Sequence, residues 1–221
     1  MSKQQKKLFF LALFSLVGFL SLQIPFNKLA GSNVSFTLFD FFGPIAGAFL
    51  GPVAGITSVL TVEVVNNLIK HTPWTTGTII RLFPTLFAVF YFATVTKQGR
   101  GKWILAVPIL AILVFLIHPI GRQVPYYAVM FWSIPLIAYK FKNNIFMKSL
   151  GATMTAHSVG GAAWIWVFNL KAQVWNGLIP IVLAERLLFA TGIATSFIVV
   201  RYLLKFLASK KILPSLDIAS S

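Results

Sequence analysis

Residues 43–69 read GPIAGAFLGPVAGITSVLTVEVVNNLI, a stretch with a single ionisable residue, Glu63, among small and branched apolar side chains. Gly51-Pro52 interrupts it. Glycine permits a positive φ, and proline suits the first turn of a helix because its missing N–H would have no partner there. Gly47, Gly51 and Gly55, spaced by four, let two helices approach closely. The stretch therefore predicts two apolar helices joined by a tight turn, two spans or a re-entrant hairpin, in a bilayer rather than in water. Beyond the break, Glu63, Asn66, Asn67 and Lys70 follow an i, i+3, i+4, i+7 spacing, which puts them on one helical face.

The whole chain has this character. Of its 221 residues 57% are apolar and 10% charged, where a soluble domain carries about 25% charged residues. The mean hydropathy is +0.84. These values exclude a water-soluble globular domain, a disordered chain and a secreted disulfide scaffold. The chain has no cysteine, which excludes disulfides, iron–sulfur clusters and thiolate metal sites. Apolar runs fall at 8–26, 34–51, 52–69, 77–96, 103–119, 123–139, 147–168 and 177–207, separated by turn-forming or charged residues. The expected fold is an all-α polytopic membrane helix bundle of about eight transmembrane helices, one integral membrane domain over residues 1–221, in the cell membrane.

The net charge of +15 is a topology signal rather than a nucleic-acid one, because the basic residues sit in short clusters between apolar runs. With the N-terminus inside, thirteen of the nineteen Lys and Arg fall inside: Lys3, Lys6, Lys7; Lys97, Arg100, Lys102; Lys140, Lys142, Lys148; Arg201, Lys205, Lys210, Lys211. Lys28, Lys70, Arg122 and Lys171 fall outside, and Arg81 and Arg186 lie within spans. The positive-inside rule then gives both termini inside. Leu8–Leu22 behind three lysines mimics a secretory signal, but Lys28 occupies the −3 position for cleavage after Ala30, so an uncleaved first span is expected. Asn33-Val34-Ser35 matches a glycosylation sequon, a triplet common by chance.

Three of the four acids, Asp40, Glu63 and Glu185, lie inside spans. An ionised side chain at the bilayer centre costs about 2.5–3.5 kcal/mol on the insertion scale, so each is expected to have a partner. Counted at about 1.5 Å per residue from the outer ends of their spans, Asp40, Glu63, Arg81, Glu185 and Arg186 all fall in the outer half. His118 and Arg122 mark an outer junction, and His157 lies near mid-span. Thr78, Arg81 and Thr85 share a face, as do Thr153, His157, Gly160, Gly161 and Trp164, and Glu185, Gly192 and Ser196. Polar faces at one depth converge on one outward-facing cavity. The candidate substrate-binding residues are Glu63 and Glu185 as partners of polar or cationic groups, Arg81 as an anion or carbonyl contact, Asn67 and His157 as hydrogen-bonding groups, and Trp164 as a stacking face. The competing reading of the same residues is charge neutralisation within the bundle, with tryptophans as an interfacial belt and Gly160-Gly161 as a helix crossing. Adjacent Glu185 and Arg186 point about 100° apart on a helix, so each is expected to pair with another helix.

No Walker loop, His-Glu-x-x-His helix or Gly-x-Ser-x-Gly elbow is present. His71, His118 and His157 show no i, i+3 or i+4 pairing, so neither a metal site nor a cofactor is expected. A membrane-embedded enzyme acting on a lipid-like substrate, and a sensor or assembly module, are the alternatives to solute capture.

The motif Gly43-Pro-Ile-Ala-Gly47-Ala-Phe-Leu-Gly51-Pro-Val-Ala-Gly55, followed by a helix ending in polar residues, resembles the substrate-binding S components of energy-coupling factor transporters, over residues 8–96. The resemblance implies a small membrane protein that captures a vitamin or related metabolite from outside. It also implies partners: a transmembrane coupling subunit and two cytoplasmic ATPases. Such proteins usually have six spans, where eight runs are counted here. They often carry Ala-x-x-x-Ala on the first helix, where Ala12 is followed by Leu16 and small residues come instead as Ala12, Ser15 and Gly18.

Overall fold

In the computed structural model, which describes residues 3–28, 35–96 and 101–210, the chain reverses at Gly51, whose φ is 83°. A short helix α2 (Phe39–Phe42), a 3-10 turn (Gly43–Ile45) and α3 (Ala46–Leu50) lead into the reversal, and α4 (Pro52–Ile69) leaves it with Pro52 in its first turn. The small residues set the packing. A Cβ on Gly55 would stand 3.0 Å from the Ala46 carbonyl. A Cβ on Gly47 would run into the backbone carbonyl of Val89 on α5 (Thr76–Thr96). The Gly-rich motif thus holds α3, α4 and α5 at backbone-to-backbone distance.

The remaining helices are α1 (Lys3–Leu22), α6 (Ala106–Ile117), α7 (Pro125–Trp132), α8 (Ile134–Lys140), α9 (Ile145–Phe168) and α10 (Ala172–Ser209). The Asn144 side chain caps α9 by accepting the Met147 N–H at 3.1 Å. That helix ends at Asn169 in the left-handed region. Short links make successive helices antiparallel. The connections 70–75, 118–124 and 169–171 therefore lie at one end of the bundle, and Gly51, 141–144 and residue 210 at the other.

The fold is mostly helical, as the apolar runs predict, with differences at their ends. The first run is helical only to Leu22, because Pro25 cannot continue a helix. Pro25–Lys28 (β1) and Ser35–Thr37 (β2) instead pair as an antiparallel hairpin. The second helix consequently begins at Phe39, which puts Asp40 in its first turn rather than well inside a span. The sixth run breaks at Ser133, where the ring of Pro135 crowds the preceding turn. The last helix starts at Ala172, so Trp175 belongs to its first turns and not to a loop. Lys97, Arg100, Lys211, Ala30 and the sequon residues Asn33 and Val34 lie outside the described residues.

Against the eight expected spans, three helices among the described residues are long and apolar enough to cross a membrane: α4, α5 and α10. The other apolar segments are shorter (Leu8–Leu22, Phe39–Leu50, Lys102–Ile117). The sixth run is divided into α7 and α8, and α9, although 24 residues long, carries Lys148, Thr153, Thr155, His157 and Ser158. At about 1.5 Å per residue α10 measures about 57 Å, longer than a hydrocarbon core of roughly 30 Å.

Two aromatic-rich cores hold the bundle. Phe14 stacks on Phe42 at 4.4 Å and Phe49 on Phe197 at 5.3 Å, which ties α1, α2, α3 and α10 together. Around α6, α7 and α9, Trp132 meets Phe115 edge-on at 5.1 Å and overlies Gly161, where a Cβ would stand 2.5 Å from its ring. Because α3 and α5 touch through backbone, Gly47→Ala is expected to destabilise the protein by about 1–3 kcal/mol, the usual cost of overpacking. Gly177→Ala, with nothing within 4 Å of the new methyl, is expected to be neutral or mildly stabilising, and thermal melts of the detergent-solubilised variants compare the two directly.

Candidate functional site

The connection end of the bundle encloses a cavity of about 630 Å³. Its walls come from β2 and from parts of the helices near that end: the start of α2, the last turns of α4, the first half of α5, the start of α7, the second half of α9 and the first half of α10. The faces read from the sequence meet there. Thr78, Arg81 and Thr85 line it from α5, and Thr153, His157, Gly160, Gly161 and Trp164 from α9. Gly160 lies close to α5 on this wall: a Cβ there would stand 3.4 Å from Pro84, which also lines the cavity.

Of the six candidate residues, Glu63, Arg81, His157, Trp164 and Glu185 line this cavity, and Asn67 does not. Asn67 lies one turn beyond Glu63, where its carbonyl accepts the Thr72 N–H at 2.9 Å and closes the turn after α4. Asn66 faces α1, where its Oδ1 accepts from Gln23 Nε2 at 3.0 Å. The polar stripe of α4 is therefore divided among a cavity, a helix contact and a turn. His118 and Arg122 stay outside the cavity as well. His118 Nδ1 accepts the Ile120 N–H at 3.2 Å, and Arg122 Nη2 donates to the Ile117 carbonyl at 2.9 Å, so both close the turn after α6. Gly192 does not face the cavity; it makes room for the Phe41 ring.

His157 is held from both sides. Trp132 Nε1–H donates to its Nδ1 at 3.1 Å, and its Nε2 meets Tyr127 Oη at 3.2 Å. An indole nitrogen only donates. Nδ1 is thus the acceptor, Nε2 carries the ring proton and donates it to Tyr127, and the Tyr127 hydroxyl keeps its own hydrogen for a partner in the cavity that it lines. His157 thus links Trp132 to the Tyr127 hydroxyl.

The hairpin covers the site. Ser35, Phe36 and Thr37 line the cavity. Asp40, missing from the sequence-derived set, fastens this end: its Oδ2 accepts the Thr37 N–H at 2.8 Å. Phe36 meets Phe189 edge-on at 4.7 Å, and the Arg186 guanidinium lies 4.2 Å from the centre of the Phe189 ring. Of Glu185 and Arg186, each expected to pair with another helix, Arg186 does reach α9 through Thr153, but the ion pair forms between the two neighbours themselves. Arg186 Nη2 lies 3.5 Å from Glu185 Oε2, because the long guanidinium arm curls back across the 100° between adjacent helical positions. Arg186 additionally donates to Thr153 Oγ1 at 3.3 Å.

These contacts leave a remainder. Among the described residues, the buried side-chain nitrogen and oxygen atoms with no hydrogen-bond partner are Glu63 Oε2, Trp175 Nε1, Glu185 Oε1 and Arg186 Nε. All four belong to residues that line the cavity. Trp175 is 2% exposed, and Glu185 and Arg186 are each 7% exposed. Buried polar atoms are nearly always hydrogen-bonded, which sets these four apart. Arg186, Trp175 and Tyr127 were not among the sequence candidates. Arg186 was legible as an intramembrane charge. Trp175 read either as a ring that could stack on a ligand or as an interfacial tryptophan, and nothing in the sequence singled out Tyr127.

No protein-family model matches the chain, and no solved structure matches it. The chain is similar to a protein of Methanocaldococcus jannaschii described as uncharacterized, with 27% identity over 215 residues, covering 89% of this chain and 71% of the relative. Trp132→Phe tests the relay: it removes the donor to His157 Nδ1 and is expected to cost about 1–3 kcal/mol for the acceptor left unpaired. In 15N spectra of histidine-labelled protein, the unsubstituted chain is expected to show His157 protonated at Nε2, and a proton on Nδ1 contradicts the relay.

Proposed function

We propose that this chain is a multi-pass membrane protein that captures a small polar solute from outside the cell. In this reading eight helical segments cross the bilayer: α1, α2–α3, α4, α5, α6, α7–α8, α9 and α10. Both termini lie inside, and the cavity opens toward the outer face. The observation that carries the reading is the cluster of buried, unpartnered polar atoms around one cavity of about 630 Å³, a volume within the usual range of small-molecule sites. The charge distribution supports the orientation. Lys102, Lys140, Lys142, Lys205 and Lys210 belong to the end opposite the cavity.

The resemblance to S components of energy-coupling factor transporters supports the same role, with a vitamin or related metabolite as solute. A transmembrane coupling subunit and cytoplasmic ATPases would then supply the energy in trans. In that arrangement Glu63, Arg81, Glu185 and Arg186 bind the polar ends of the solute, Tyr127 donates a hydrogen bond, and Trp164 offers a ring face. Asp40 and His157 hold the frame.

Two measurements test the proposal. Protein taken from its native membrane into nanodiscs is expected to carry a small molecule detectable by native mass spectrometry, and an empty cavity contradicts capture. Because the chain has no cysteine, Lys171→Cys and Asn143→Cys report topology cleanly. The first is expected to react with an impermeant maleimide in intact cells and the second only after permeabilisation; the reverse pattern contradicts the orientation.

A further inference from the structure

The ionic balance of the cavity constrains the charge of its occupant, and this step rests on the solute-capture reading. Three carboxylates line the cavity, Asp40, Glu63 and Glu185, against two guanidiniums, Arg81 and Arg186, and no lysine. Arg186 is in ion-pair contact with Glu185. Asp40 accepts the Thr37 N–H at 2.8 Å. That leaves Glu63. Its Oε2 is buried without a hydrogen-bond partner, and among the described residues the ion pair in the cavity wall is Arg186–Glu185. His157 does not make up the difference, because Trp132 can only donate to Nδ1 and so keeps that nitrogen free of a proton.

We propose that the cavity takes a small organic solute of net charge +1, with its cationic nitrogen against Glu63 and a neutral acceptor group at its other end. The acceptor end meets the free Nε of Arg186 and Nε1 of Trp175, and the Tyr127 hydroxyl adds a third donor. A nitrogen-borne hydrogen reaches the free Oε1 of Glu185. A proton on Glu63 would neutralise that one carboxylate but would leave the other three buried atoms unpaired. A bare metal ion fits poorly, because among the described residues no group of three or more His, Cys, Asp or Glu converges to hold one.

The test is the charge of the co-purifying solute. It is extracted from the nanodisc-held protein, identified by mass, and its electrophoretic mobility is read at pH 7. The expected result is a monocation. In parallel, Glu63→Gln, which keeps the shape and removes the charge, is expected to lower solute occupancy at least about tenfold, with a thermal melt that reports whether the variant folds. A bound solute of zero or negative net charge overturns the inference and leaves capture standing, as does full occupancy in Glu63→Gln. No solute in the unsubstituted protein overturns both. The mobility measurement uses the unsubstituted chain, so it decides the matter even where the variant does not fold.

Discussion

The cost of burying charge in a medium without water governs this molecule. Three acids and two arginines occupy its interior, and each must find a partner or be lost to the bilayer's penalty of about 2.5–3.5 kcal/mol. The protein meets part of that demand itself. Arg186 reaches Glu185, Asp40 accepts the Thr37 amide, and the Phe189 ring faces the Arg186 guanidinium. The atoms that stay unpaired belong to four residues that line one cavity.

The cavity depends on close packing elsewhere. Gly47 and Gly55 bring α3, α4 and α5 together, and Glu63 on α4 and Arg81 on α5 line the same cavity. Gly161 receives the Trp132 ring, and that ring in turn supplies the donor to His157. A single glycine thus fixes both a helix crossing and a hydrogen-bond chain that ends at Tyr127. The hairpin contributes by a different route: its Phe36 packs edge-on against Phe189 of α10, and both rings lie beside the Arg186 guanidinium.

Much of this was legible in the residues, and the reasons for the rest are physical. The Gly51-Pro52 reversal was readable because positive φ and a first-turn proline leave few alternatives. The convergence of Glu63, Arg81, His157, Trp164 and Glu185 followed from their common depth and helical spacing. Asn67 misled because four-residue spacing fixes a direction around the helix but not which neighbour waits one turn higher. The hairpin escaped because its strands are three and four residues long and sit at the ends of apolar runs, where periodicity carries no signal. Trp175 and Tyr127 were hidden for a further reason. Aromatic residues near span ends look alike whether they face headgroups or a cavity. Arg186 was assigned by the direction of its Cα–Cβ bond, which says little about where a long flexible arm ends.

An experimental density map of the protein purified from its native membrane tests the central claim most directly. The account requires density for a compact molecule inside the cavity, within hydrogen-bond distance of Glu63 Oε2 and Arg186 Nε. A cavity filled by a lipid acyl chain, or Glu63 and Arg186 turned away onto separate surfaces, would contradict it.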